Sequence, residues 1–208
     1  MKKVLIITTH FAPSRHVGAK RPIKFCKFLP QYGWEPVILT KEVKYYHGID
    51  ETLTQDLPEN LKVYRVNEWH PLASWHRIRK DRKNVSTASV GEEELQGIKR
   101  LLSYLLFYDY AWLLPALFKA FRIIQQERID LIFSTSPPAE AHLAALLLKI
   151  CTGKKWVCDF RDPWTKLPSC VYQPQAIQRK LDEFLEKKTL SVSDYITCSS
   201  DRLRHDLV

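Results

Sequence analysis

No segment of this chain carries a G-x-G-x-x-G fingerprint, and none carries a Walker A motif. The first absence argues against a nicotinamide or flavin dinucleotide, whose pyrophosphate needs glycines where the backbone approaches it. The second removes P-loop ATPase chemistry. The cysteines, Cys26, Cys151, Cys158, Cys170 and Cys198, are an odd set, and no pair stands at metal-ligand spacing. His10 and His142 also lack partners at such spacing, so no metal site is expected. The longest apolar stretch, 101–124, is interrupted by Asp109, Pro115, Lys119 and Arg122, whereas a bilayer span needs about 20 mostly uncharged residues. Met1-Lys2-Lys3 leads into an apolar run too short for a signal peptide, which reads instead as a strand. A cytoplasmic, reducing compartment is the expectation.

What remains is ordinary globular material. The chain has 208 residues, 45% hydrophobic and 26% charged, which suits one α/β domain with a buried core. The net charge of +9 favours an anionic partner: a phosphorylated ligand, an acidic membrane surface or nucleic acid. A protein with a merely basic face fits it equally.

Hydrophobic periodicity predicts six strands. Val4 to Ile7 is a continuous apolar run, as in a strand buried on both faces. Further strands are expected at 35–40, 61–66, 129–134, 155–160 and 194–198. Helices are expected at about 20–32 with Gly33 as a stop, at 110–126, from Pro137-Pro138 to Gly153, and at 175–190. Ser199 or Ser200 should cap a last helix. On the first helix Lys20, Lys24 and Lys27 share one face, opposite Ile23 and Cys26. The region 67–110 is an irregular insertion holding Trp69, Trp75 and the cluster Arg77, Arg79, Lys80, Arg82 and Lys83; a helical stretch opens near its end at Glu92. Strands alternating with helices make a doubly wound, Rossmann-like parallel sheet.

Ligands of such sheets bind beyond the carboxyl ends of the strands, near the point where strand order reverses. Polar and turn residues concentrate at those ends: Thr9-His10, Ser134-Thr135-Ser136, Asp159 to Trp164, and Ser199-Ser200. Gly18 in the first loop is either a turn glycine or a phosphate or sugar contact. Ser134 to Ser136 place three hydroxyls near a helix N-terminus, more than capping alone requires. After the fifth strand, Arg161 can pair with a carboxylate or a phosphate, and Trp164 can stack on a sugar or anchor the core. A structural Arg–Asp pair bracing that loop is the alternative. His142, among alanines on a helix, reads first as a packed histidine.

These segments taken in order resemble the N-terminal domain of family 4 glycosyltransferases of the GT-B fold, of the type that assembles bacterial surface polysaccharide. The matching residues are Phe11-Ala12-Pro13 with Arg21 to Phe25, Tyr32 to Pro36, Ser134 to Pro138 with Ala141-His142-Leu143, and Asp159 to Trp164. The resemblance implies a retaining, metal-independent transferase whose N-terminal half grips a glycan or lipid-linked acceptor. A C-terminal half would bind the nucleotide sugar through Glu-x7-Glu. Glu51 and Glu59 have that spacing but lie in an N-terminal connection, so the donor half is absent from these 208 residues. The whole chain is then one acceptor-side domain, expected not to turn over alone, with no cofactor beyond the donor substrate. Asp162 is the candidate for a catalytic role. Pro13, Gly18, Arg21, Ser134, Thr135, Ser136, Pro137, His142, Asp159, Arg161 and Trp164 are candidates for substrate binding. The lysines of the first helix and the 77–83 cluster would rest on anionic lipid. A non-catalytic sugar- or phosphate-binding module would share the same site. Nucleic-acid binding has only charge behind it and no reader motif, and is not expected.

Overall fold

A computed structural model describes residues 1–55, 57–69, 111–166 and 176–207. The tryptophan at 75, the basic cluster at 77–83, the stretch opening at Glu92 and Cys170 lie outside the described residues. The elements in chain order are β1 (Lys2–Ile7), α1 (Lys20–Phe28), β2 (Trp34–Lys41), β3 (Lys62–Val66), α2 (Leu113–Gln126), β4 (Leu131–Ser136), α3 (Glu140–Thr152), β5 (Lys155–Phe160), α4 (Ala176–Val192), β6 (Tyr195–Cys198) and α5 (Asp201–Leu207). Short 3-10 turns join several of them.

The strands form one six-stranded sheet in the order β3-β2-β1-β4-β5-β6. Every pairing is parallel. β1 therefore lies between β2 and β4, and the direction of winding reverses beside it. This explains its unbroken apolar sequence. Leu5 and Ile7 point into the larger core cluster, with α2 and α3, whereas Val4 and Ile6 point into the smaller one, with α1. Each such side chain contributes about 1.5–3 kcal/mol relative to exposure. A polar residue at any of these positions would break one of the two layers.

α1 buries Ile23 and Cys26 and exposes Lys20, Lys24 and Lys27, as the periodicity predicts. It ends at Phe28 rather than continuing regularly to Tyr32. Pro30 removes a backbone donor, so the chain tightens into a 3-10 turn over Leu29–Tyr32. Gly33 then adopts φ 78°, a left-handed conformation that reverses the chain into β2. At the other end of the sheet, the Ser200 hydroxyl accepts from Leu203 N at 3.2 Å and caps α5.

Two boundaries differ from the sequence expectation in a way that matters. β4 runs through Ser136, because Ser134, Thr135 and Ser136 pair in register with Cys158, Asp159 and Phe160. The three hydroxyl residues are strand residues, all buried, and not a loop beyond the strand. The helix after them starts at Glu140, past Pro137-Pro138, with Ala139 at its cap.

Candidate functional site

The carboxyl ends of β1, β4, β5 and β6 converge at the point where the winding reverses, and buried Asp159 sits among them. Arg21 of α1 donates from Nε to Asp159 Oδ2 at 2.9 Å and from Nη2 to Oδ1 at 2.7 Å. Thr135 Oγ1 donates to Oδ2 at 2.8 Å, and Thr197 Oγ1 donates to Oδ1 at 2.7 Å. This is a two-pronged guanidinium–carboxylate pair with two added hydroxyl donors, the arrangement that satisfies a buried carboxylate. It ties α1, β4, β5 and β6 together. The expected structural Arg–Asp pair therefore exists, but its arginine is Arg21 and not the neighbouring Arg161.

Arg161 does different work. Its backbone N donates to Ser136 O at 3.0 Å and its Nε to the same carbonyl at 3.0 Å. Its Nη2 also donates to Pro137 O. On the other side the guanidinium lies against Gly18, where a Cβ would collide with it. Gly18 N donates to His16 Nδ1 at 3.0 Å. Arg161 O accepts from Ser199 Oγ at 2.7 Å. One side chain thus clips the loop after β1 to the end of β4, while its own backbone holds the turn after β6. Burial lowers the Arg161 pKa from its ordinary value, opposed by the charges of Asp159 and Asp162. Among the described residues, two of its five N–H groups serve carbonyls, and the remainder can meet a hydroxyl or an anionic oxygen.

The loop after β1 is held from a second direction. Arg65 of β3 donates from Nη2 to Ala12 O at 2.6 Å, and Asp50 N donates to Pro13 O at 2.8 Å. Pro13 itself is buried. At the tip of β1, the His10 ring stacks on His16 at a centroid distance of 4.0 Å. Burial, and then the nearby His16, Lys41, Arg161 and His47, push the His10 pKa down to about 4. His10 is neutral near pH 7, and its Nδ1 has no partner among the described residues. Lys41, at the end of β2, pairs with Glu68 at 2.9 Å and with Glu140 at 3.1 Å.

Other expected residues turn inward. Ser134 accepts from Trp156 Nε1 at 2.8 Å and lies 2.8 Å from His142 Nδ1. The His142 ring is fully buried and packs on Phe160 at 4.6 Å. Burial, with Arg161 as the lesser cause, pushes its pKa down to about 3. This is the packed histidine of the first reading. Trp164 is buried in the larger core cluster, in the manner of a core anchor. Asp162 is exposed at the rim, and its charge acts on Arg161.

The structure thus gathers Gly18, Arg161, Ser136 and Pro137 into one contact set, with Asp162 next in the chain. Arg21, Asp159 and Thr135 form the brace beneath. Ser134, His142 and Trp164 lie further inside. Sequence reasoning missed Lys41, Arg65 and Thr197. Lys41 and Arg65 stand at the ends of the second and third strands, where extending the same rule would have found them, whereas Thr197 lies inside the sixth strand, just before the Ser199-Ser200 end that the rule singles out.

No curated protein matches the sequence. Among solved structures, the chain is similar to sucrose-phosphate synthase from Thermosynechococcus elongatus, at 13% identity and a TM-score of 0.59, over 100% of this chain and 44% of that one. It is also similar to the UDP-GlcNAc 2-epimerase of Methanocaldococcus jannaschii in complex with UDP-GlcNAc and UDP, at 12% identity and a TM-score of 0.50, over 100% of this chain and 42% of that one. At these identities the likeness is one of fold, and the chain spans less than half the length of either relative. Residues 84–208, more than half of the chain, match the family described as Glycosyltransferase Family 4, and the chain belongs to that family.

Proposed function

We propose that this chain is the acceptor-side domain of a retaining glycosyltransferase. That enzyme moves a sugar from a nucleotide-sugar donor to a glycan or lipid-linked acceptor, in the assembly of cell-surface polysaccharide at the inner face of the membrane. The observation that carries the reading is the Arg161 clip. It joins the Gly18 loop to the Ser136-Pro137 turn beside β1, where a doubly wound sheet takes its ligand.

In this reading the rim supplies position and charge. The remaining guanidinium N–H groups of Arg161 bind acceptor hydroxyls. Asp162 reaches into the cleft that a donor-binding half would close, and accepts a hydrogen bond from the attacking hydroxyl. The positive charge of Arg161 also favours the departing phosphate, a form of electrostatic stabilisation. Asp159 is fully occupied by its four donors and serves as a positioning residue. No cofactor takes part.

The test is release of nucleoside diphosphate from a panel of sugar nucleotides, with glycan and lipid-linked acceptors, by the protein carrying both halves. Asp162→Asn and Arg161→Gln should each lower kcat/KM by at least about tenfold. Turnover unaffected by both changes would refute the assignment. Acceptor binding without any turnover would favour the non-catalytic module.

A further inference from the structure

Exposed apolar side chains are scattered over most of this fold, but those of α2 and α3 share one face. Leu114, Phe118 and Phe121 recur at helical spacing along α2, and Leu147 and Ile150 stand on α3; Phe118 is 71% and Ile150 65% exposed. The two helices pack beside each other on the sheet. Their C-terminal ends open on one cavity of about 450 Å3, which Phe121 and Gln125 line from α2 and Cys151 and Thr152 from α3. The apolar face therefore continues from one helix to the other. Single exposed apolar residues are ordinary on a protein surface, whereas a contiguous group marks a contact.

Charge decides what kind of contact. α2 contains no aspartate or glutamate, and its only charged residues are Lys119 and Arg122. Arg122 is exposed, and Lys119 lies over the Tyr64 ring. α3 has one acidic residue, Glu140, which is buried and paired with Lys41. Arg128 and Lys154 line the cavity at the far end of the face. Among the described residues, the one carboxylate on that lining is Asp130, which accepts from Lys3 N at 2.8 Å. Phenylalanines along one helical strip, cations beside them and no acid on the helix is the pattern of a helix lying in a bilayer interface. The net charge of +9 has the sign that anionic headgroups attract.

We propose that the α2–α3 face docks on an anionic lipid bilayer. Phe118, Phe121 and Ile150 enter the headgroup region, while Arg122, Arg128 and Lys154 meet lipid phosphates. The cavity lies at the amino ends of β4 and β5, the opposite rim from Arg161, so docking leaves the site above the sheet open. The proposal places the contact on α2 and α3, and not on the lysine face of α1. It does not require glycosyl transfer, and either reading can fail alone.

The test is co-sedimentation of the purified chain with vesicles of phosphatidylcholine alone or with about 30% phosphatidylglycerol. Binding should appear with the anionic lipid and weaken in salt. The double change Phe118→Ser with Phe121→Ser should lower the partition coefficient at least about tenfold. The pair Phe118→Leu with Phe121→Leu should retain binding, and unchanged thermal melting would show that both variants remain folded. Arg122→Gln should lower binding only to the anionic vesicles. The proposal is overturned if the serine pair binds like the unaltered chain. It is equally overturned if binding is lost instead with Lys20→Gln and Lys27→Gln. A dimer that the serine pair splits, without vesicle binding, would assign the face to a second copy and also overturn it.

Discussion

Replacing Arg21 by methionine should reveal how much of the fold hangs on one buried carboxylate. The substitution keeps the aliphatic stem of α1 packed but removes both N–H donors from Asp159. Asp159 is fully buried and, among the described residues, keeps only the hydroxyls of Thr135 and Thr197. Stranding a buried charge costs about 3–5 kcal/mol when its partner is deleted. The Arg21 side chain is 36% exposed, so water can reach part of the vacated space and screens the loss. The expected cost is therefore about 2–4 kcal/mol. Urea unfolding should show it as a lower midpoint at unchanged slope. Asp159→Asn should cost a similar amount, because its amide turns a donor toward Arg21. The double variant should cost less than the sum, by about 1–3 kcal/mol. A cost below about 0.5 kcal/mol for Arg21→Met would mean that the pair does not brace the sheet, and the reasoning would fail.

Two further outcomes follow from the same geometry. His10 and His142 have folded pKa values pushed down to about 4 and about 3, from an ordinary value of 6.5, with burial the largest cause of each. The unfolded chain therefore takes up protons first, so stability is full above about pH 6.5 and falls as the pH drops through that value toward the folded pKa values. Fully buried His142 alone should tilt the urea-derived stability by about 1.4 kcal/mol per pH unit between about pH 6 and 5. His142→Gln should flatten that slope, and an unchanged slope would contradict the assignment. Gly18→Ala would drive a methyl into the Arg161 guanidinium and to 2.9 Å from His16 Nδ1. Both obstacles are side-chain ends, so stability should change by less than about 1 kcal/mol, while glycoside affinity measured by calorimetry should fall at least about tenfold. Equal affinity would remove Gly18 from the site.

The central strands were legible because they are buried on both faces, whereas the edge strands at 62–66 and 195–198 are largely exposed or half-buried. Val4 to Ile7, Val37 to Leu39 and Trp156 to Cys158 announce themselves as apolar runs, and the parallel order follows from the helices between them. The strand-end rule likewise located the rim. What the chain order could not show was partnership across it. Arg21 and Asp159 are 138 positions apart, and nothing in either segment names the other. Ser134 to Ser136 looked like a loop because hydroxyl residues before two prolines resemble a turn. Their pairing with β5 holds them in the strand and turns the Ser134 hydroxyl toward Trp156 and His142. Periodicity reports which face a residue occupies, whereas a hydrogen bond between distant strands depends on register.

The most direct measurement is a glycoside titration followed by NMR of the backbone amides and arginine Nε–H groups. Shifts should concentrate at Gly18, the Ser136 region and the Arg161 Nε–H, and vanish in Arg161→Gln while the sheet amides keep their positions. Shifts confined to the α2–α3 face, or binding that survives Arg161→Gln unchanged, would contradict the proposed site.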